Sequence, residues 1–302
     1  MKNNILFFFL FPVLIFAQNY VIPLWENEIP NSKVVAKSVV DEPSNSEYFY
    51  SVTRPEISVY LPTNRNLTGK AMLVIPGGGY WKVTYSWEGT DVAKWLNANG
   101  ITAIVLKYRL PKTEFDKVLD KSPLLDANRA MKIIRANADK WNIDKNKIGV
   151  IGFSAGGHLA SSLATHYDEE QVGIIDSLSN INSRPDFVVL MYPVITMNKE
   201  LAESGSRKNL LGDNPSEELV EYYSSEKQVT ANTPPTFIVH ASDDNVVPVK
   251  NSLLFFEALQ KNGVKTEMHI YQTGGHGFAL ANNNDKLKTW RELLLLWLSN
   301  LN

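Results

Sequence analysis

Residues 147–165 read Lys147-Ile148-Gly149-Val150-Ile151-Gly152-Phe153-Ser154-Ala155-Gly156-Gly157-His158-Leu159-Ala160-Ser161-Ser162-Leu163-Ala164-Thr165. The first part, 147–153, is apolar on both faces, the pattern of a strand buried in a parallel sheet. The second part, Ala155–Thr165, reads as a helix and follows with no intervening loop. At the junction stands Gly152-Phe153-Ser154-Ala155-Gly156, a G-x-S-x-G pattern. Flanking glycines let strand and helix backbones come close, and the sharp turn holds the serine strained with its hydroxyl exposed. The new helix N-terminus points N–H groups at any negative charge that develops there. A glycine turn with a passive serine is the plain alternative. The placement between strand and helix favours Ser154 as a nucleophile.

The rhythm of that junction extends in both directions. Apolar strands are expected at 71–75, 101–106, 187–192, 236–240 and 266–271, with helices at 91–99, 124–141, 249–262 and 285–301. Strands alternating with helices, and apolar on both faces, predict an α/β fold: a mostly parallel central sheet covered by helices on both sides. Residues 57–61 alternate apolar and polar and read as a half-buried edge strand. No repeat or linker divides the chain, so 18–302 is expected to be a single domain. The stretch 195–233 is rich in Asn, Ser, Glu and Tyr. It reads as a cap-like insertion, too polar for core, lying over one end of the sheet.

The 302 residues are 44% hydrophobic and 21% charged, with a formal net charge of −2, an ordinary globular composition. Near-neutral charge gives no electrostatic footprint for nucleic acid or an anionic membrane. The absence of cysteine excludes disulfides, thiolate-bound zinc, iron–sulfur clusters and a cysteine nucleophile. No ligand cluster for a metal is evident, and no cofactor is expected. At the start, Lys2 precedes an apolar run from Ile5 to Phe16, ended by Ala17-Gln18. This reads as a signal peptide over 1–17, cleaved near Ala17-Gln18. The run is shorter than the roughly 20 residues that span a bilayer. The expected mature chain has no membrane anchor and is secreted or periplasmic. An uncleaved anchor is the alternative.

A serine hydroxyl needs a base. Of the five histidines, His158 lies one helical turn beyond Ser154 and reads as structural. His166 ends the same helix, His240 reads as turn-stabilising, and His269 as a sheet-face residue. His276 sits in the loop Gly274-Gly275-His276-Gly277-Phe278 after the last strand, at the sheet edge where ligands bind in this class. It is the candidate base, and activity is expected to fall at acid pH as it protonates. A carboxylate must orient it, and Asp243 and Asp244, after strand 236–240, are both candidates. Pro76-Gly77-Gly78-Gly79-Tyr80 follows strand 71–75, where backbone N–H groups free of side chains can hold an oxyanion. The N–H of Ala155 would be the second donor.

With these residues in place, the chain resembles the α/β-hydrolase superfamily. Within it, the chain is similar to secreted bacterial carbohydrate esterases of the acetylxylan esterase and bifunctional acetyl/feruloyl esterase type. The resemblance rests on Ile22-Pro23-Leu24-Trp25, Thr53–Pro62, Pro76–Tyr80, Glu88-Gly89, Asp126–Ala130 and Ile151–Ala160. The order Ser154…Asp244…His276 matches that superfamily. The pattern H-x-x-x-D-x-x-V-P, framed by His240 and Pro248, implies Asp244 as the acid, with Asp243 the runner-up. Pro76 stands where lipase-like relatives carry His, and Ala241 where many carry Gly. The resemblance implies an α/β-hydrolase fold and an oxyanion hole formed by Gly78, Gly79 and Ala155. It implies a serine carboxylic-ester hydrolase that removes acetyl groups, with feruloyl as a second acyl group, from an acylated polysaccharide or oligosaccharide such as xylan.

The aromatic residues Tyr80, Trp81, Tyr85, Trp87, Tyr192 and Phe278 are expected near the rim, where Tyr80, Trp81, Trp87, Tyr192 and Phe278 are candidate sugar or acyl contacts; burial in the core is the alternative. A serine peptidase of the prolyl-oligopeptidase type shares the residue order, but 18–70 is too short for its usual propeller domain. A glycosidase would need two carboxylates flanking the bond. A catalytically silent binding protein would not need the whole constellation.

Overall fold

Among the described residues, eight strands form one sheet in the computed structural model, which describes residues 20–26, 28–34, 41, 47–167, 176–201 and 204–301. The expected leader, 1–17, and its cleavage point lie outside these residues. In chain order the elements are β1 (Tyr20–Pro23), β2 (Glu56–Tyr60), β3 (Ala71–Ile75), α1 (Asp91–Ala98), β4 (Thr102–Lys107), α2 (Lys121–Ala136), β5 (Ile148–Phe153), α3 (Ala155–Thr165), β6 (Val188–Met191), α4 (Ser204–Leu211), α5 (Glu217–Tyr222), β7 (Thr236–Ala241), α6 (Lys250–Lys261), β8 (Thr266–Tyr271) and α7 (Trp290–Asn300). No helix among the described residues is long and apolar enough to cross a membrane.

The sheet order is β1-β2-β4-β3-β5-β6-β7-β8. From β4 through β8 every pairing is parallel, while β1 and β2 run antiparallel to their neighbours. Strands β3 and β5 are buried at every position, so their side chains leave water on both faces, at about 1.5–3 kcal/mol for each large aliphatic group. One face of the sheet packs against α2, α3 and α6 through residues such as Ala127, Met131, Leu159, Leu163 and Phe255. The other packs against α1 and α7 through Val92, Leu96, Trp290 and Leu294.

Three expectations need revision. Residues 57–61 were expected at a sheet edge, yet β2 lies between β1 and β4, with Ile57, Val59 and even Ser58 buried. Ser58 tolerates burial because its hydroxyl accepts a hydrogen bond from Tyr85 at 2.7 Å. The helix expected at 124–141 begins earlier, at Lys121, because Pro123 sits in its first turn, where no N–H is needed. The segment 195–233 is not too polar for core: Ile195, Met197, Leu210 and Tyr223 are all buried in the main apolar cluster. Charged residues such as Lys208, Glu217 and Glu218 face outward from α4 and α5, while Ser206 is buried, and Ser216 caps α5 by accepting the Leu219 N–H.

Parallel strand order sends the ends of β3, β5, β7 and β8 to one edge. The approach of α3 to β3 and β5 depends on two missing side chains. A Cβ on Gly156 would lie 2.2 Å from the Ile75 carbonyl oxygen, and one on Gly152 would lie 2.2 Å from the Gly156 carbonyl oxygen. Both obstacles are backbone, so neither can rotate away. Gly156→Ala therefore costs about 1–3 kcal/mol or more of stability. Urea unfolding should show a lower midpoint with an unchanged slope.

Candidate active site

Ser154 follows β5 with φ 51° and ψ −119°, a conformation that few residues other than glycine adopt. The surrounding backbone holds it there. Its N–H donates to the Met191 carbonyl at 3.0 Å, and its own carbonyl accepts from the N–H groups of His158 and Val194, each at 3.1 Å. The hydroxyl thus stands at the head of α3, facing the loop after β8. There it meets His276, whose Nε2 lies 2.8 Å from Ser154 Oγ. On the other side of the ring, Nδ1 lies 2.7 Å from Asp244 Oδ2. A carboxylate only accepts, so Nδ1 carries the hydrogen and Nε2 is left to accept the serine proton.

Asp244 is buried in the turn after β7. Its Oδ1 accepts the N–H groups of Val246 and Val247 at 2.9 and 2.8 Å. Burial pushes its carboxyl up, but hydrogen bonds from His240, His276 and the Val247 N–H outweigh this and hold it well below the usual carboxylate range. It therefore stays ionised wherever the imidazole works. Asp243 is exposed and faces elsewhere: its Oδ1 accepts the N–H groups of Gly274 and Gly275 at 2.9 and 2.8 Å, bracing the loop that carries His276.

His240 holds this turn as expected, with Nε2 2.9 Å from the Val247 carbonyl. It does one thing the sequence did not reveal: the same Nε2 lies 3.2 Å from Asp244 Oδ2. A carbonyl only accepts, so Nε2 is protonated, and Nδ1 accepts from the Ser252 hydroxyl at 2.7 Å. Asp244 is thus fixed between two imidazoles. His158 is structural as expected. It is buried between the Tyr80 hydroxyl, 2.8 Å away, and the Tyr223 carbonyl, 2.7 Å away, and burial pushes it down to about 4. His269 lies on β8 with Glu267 at 2.7 Å from its Nε2.

The loop after β3 passes over Ser154. Gly78 and Gly79 adopt φ 122° and 64°. A Cβ on Gly78 would fall 2.2 Å from the Lys82 carbonyl oxygen, so only glycine fits that turn. The Gly78 carbonyl accepts from the N–H groups of Trp81 and Lys82, and the Gly79 carbonyl accepts from Asn209 on α4 at 2.7 Å. Residues 195–233 therefore help shape the site. Beneath the loop lies buried Glu88, whose Oε2 accepts the Gly77 N–H at 2.8 Å.

These groups open onto a cleft of about 520 Å³. Ser154, His276, Gly78 and Gly79 line it, as do the exposed rings of Trp81 and Trp87. Trp87 is tied to the far wall by its Nε1–H, which donates to the Gly277 carbonyl at 2.9 Å. Tyr48, Lys82, Asn209 and Val246 line the cleft too, and the sequence did not single them out. Tyr80 and Tyr192, expected at the rim, are buried. Their backbones have φ 56° and 37°. The Tyr80 ring turns beneath the loop to His158, and the Tyr192 hydroxyl donates to Glu88 Oε1 at 2.7 Å. Phe278 packs against Tyr192, with ring centroids 4.5 Å apart, and is not among the residues lining the cleft. Among the described residues no group of three or more His, Cys, Asp or Glu is placed to hold a metal ion.

The BD-FAE family model matches residues 57–259, more than half of the chain. The chain belongs to the BD-FAE family. It is 41% identical over 241 residues to endo-1,4-beta-xylanase B of Butyrivibrio fibrisolvens, covering 79% of this chain and 37% of that protein. It is 35% identical over 229 residues to the acetylxylan esterase of Xylanibacter ruminicola, covering 74% of this chain and 44% of that protein. The chain thus spans less than half the length of these two curated relatives. In structure it is similar to an acetyl ester-xyloside bifunctional hydrolase from Caldicellulosiruptor lactoaceticus, with a TM-score of 0.79 and 41% identity, covering 93% of this chain and 96% of that one. The fold is that of α/β hydrolases, as this family membership requires.

The two adjacent carboxylates make a direct comparison. Asp244→Asn should lower kcat for an activated aryl ester by about 10³–10⁴-fold, because the amide cannot enforce the same imidazole tautomer. Asp243→Asn loses only part of two exposed hydrogen bonds and should cost about tenfold or less. Steady-state hydrolysis of 4-nitrophenyl acetate by the two variants checks both values.

Proposed function

We propose that this chain is a serine esterase that removes acetyl groups from the sugar hydroxyls of a xylan-type polysaccharide. The observation that carries the reading is the continuous hydrogen-bonded line Ser154 Oγ–His276–Asp244 Oδ2, with links of 2.8 and 2.7 Å, opening onto a wide cleft. His276 Nε2 takes the hydroxyl proton as Ser154 Oγ attacks the ester carbonyl. The carbonyl oxygen gains negative charge beside the N–H groups of Gly78, Gly79 and Ala155. Among the described residues none of these three N–H groups is engaged by an internal acceptor outside the regular elements, so they can meet that charge without reorganising. Asp244, ionised and buried, stabilises the imidazolium. His276 then returns the proton to the departing sugar oxygen. Water, activated by the same nitrogen, releases the acyl group as acetate and restores Ser154.

The substrate class draws support from the three relatives named above, all of which carry xylan or xyloside in their names. It also draws support from the exposed rings of Trp81 and Trp87, which offer flat apolar faces to a sugar beside the reacting groups. Residues 1–17 have the form of a secretory leader, which fits work outside the cytoplasm on a polymer too large to import.

Acetate release from acetylated xylan and ferulate release from methyl ferulate, measured side by side, test this reading. Acetate release that falls by about 10⁴-fold or more in Ser154→Ala is expected. Ferulate release with the same dependence would extend the acyl range to aromatic acids. No Ser154-dependent release from either substrate would contradict the xylan reading.

A further inference from the structure

Glu88 is 4% exposed, on a wide helical turn (Ser86–Thr90) leading into α1, and it forms part of the cleft floor. The reaction sequence above gives it no part. Both of its oxygens accept from neutral donors: Oε2 from the Gly77 N–H at 2.8 Å, and Oε1 from the Tyr192 hydroxyl at 2.7 Å. The same hydroxyl accepts the Ala279 N–H at 3.0 Å. Ala279 has φ 41° and lies three residues beyond His276 on the same loop. The Tyr192 ring packs edge-on to the His276 ring, with centroids 5.0 Å apart. One carboxylate therefore grips the backbone next to Gly78 and, through one hydroxyl, the loop that carries the imidazole.

A merely structural link could be made by neutral groups at lower cost, since burying a carboxylate is unfavourable. Burial pushes the Glu88 carboxyl above its ordinary value and outweighs the hydrogen bonds from Tyr192 and Gly77, the attraction of Lys82, and that of His276 when its ring is cationic. A backbone N–H cannot accept a hydrogen bond, so the Gly77 contact favours the ionised form. The ionisable groups around it are Tyr108, Tyr192, His276 and Lys82. His276 becomes cationic during the reaction.

We propose that Glu88 is a positioning residue of the ester-hydrolysing site. Its carboxylate fixes the spacing between the Gly78 and Gly79 donors and the His276 imidazole, and it places a fixed negative charge near the imidazolium. The proposal rests on the esterase reading of Ser154 but not on xylan as substrate, so 4-nitrophenyl acetate serves as the probe.

The test compares wild type, Glu88→Gln, Tyr192→Phe and the double variant across pH. Misplacing donors relative to a base by a fraction of an ångström should lower kcat by about 10–100-fold in Glu88→Gln, with KM close to wild type. Removing a negative charge disfavours the imidazolium, so the acid limb of the kcat/KM profile should move to lower pH in Glu88→Gln. Tyr192→Phe keeps the charge and should lower kcat with the acid limb unmoved. The double variant should be little worse than the poorer single one, because both break the same link. A wild-type kcat in Glu88→Gln, or a lowered kcat with an unmoved acid limb there, would overturn the proposal. Should Glu88→Gln not fold, wild-type kcat in Tyr192→Phe would overturn it equally. Absence of Ser154-dependent hydrolysis in the wild type would contradict this proposal and the esterase reading together.

Discussion

The backbone of Ser154, at φ 51° and ψ −119°, is the constraint on which the rest of the molecule turns. A strained residue persists only when its surroundings over-determine it. Here β5 enters from one side and α3 leaves on the other. The Met191 carbonyl and the N–H groups of His158 and Val194 hold the peptide units between them. The strain is tolerable because β5 and α3 are buried in a core that extends through β3 and β6. The same packing requires glycine at 152 and 156, since backbone oxygens stand where a Cβ would be.

From that fixed point the other groups follow by topology. Parallel strands deliver the loops after β3, β7 and β8 to the edge where Ser154 stands. The β3 loop brings glycine N–H groups, the β7 turn brings a carboxylate, and the β8 loop brings an imidazole. Each loop is then tied to its neighbours by hydrogen bonds that have no other evident use. Asp243 braces the His276 loop, Trp87 reaches Gly277, and Asn209 holds Gly79. Residues 195–233 thus act on the site through α4 while burying their apolar positions against the main core.

Legibility in the sequence followed the range of the interactions. The Ser154 turn is local, so its glycines announced it, and the run of apolar strands announced the sheet. His276 could be chosen because it alone sits in a loop beyond the last strand. Choosing Asp244 over Asp243 needed the frame of His240 and Pro248, since adjacent carboxylates look alike until the turn points them apart. The aromatic residues were harder. Tyr80 directly follows the glycine loop and Tyr192 ends an apolar strand, but positive φ values turn both side chains inward. The link from Glu88 to Tyr192 spans 104 residues, and no local pattern encodes it. In the sequence Glu88 stands out only as part of the family resemblance, and nothing in its neighbours along the chain marks it as buried. The second imidazole on Asp244 was hidden too, because a histidine at a strand end fits a turn well enough.

The central claim is that Ser154 is the one hydroxyl activated by this arrangement. Its most direct test is active-site titration with a 4-nitrophenyl phosphonate ester, followed by peptide mapping of the adduct. Stoichiometric release of nitrophenol with phosphonylation confined to Ser154, and abolished in His276→Ala, is the expected result. Labelling of a different residue, or an unlabelled but folded wild-type chain, would contradict it.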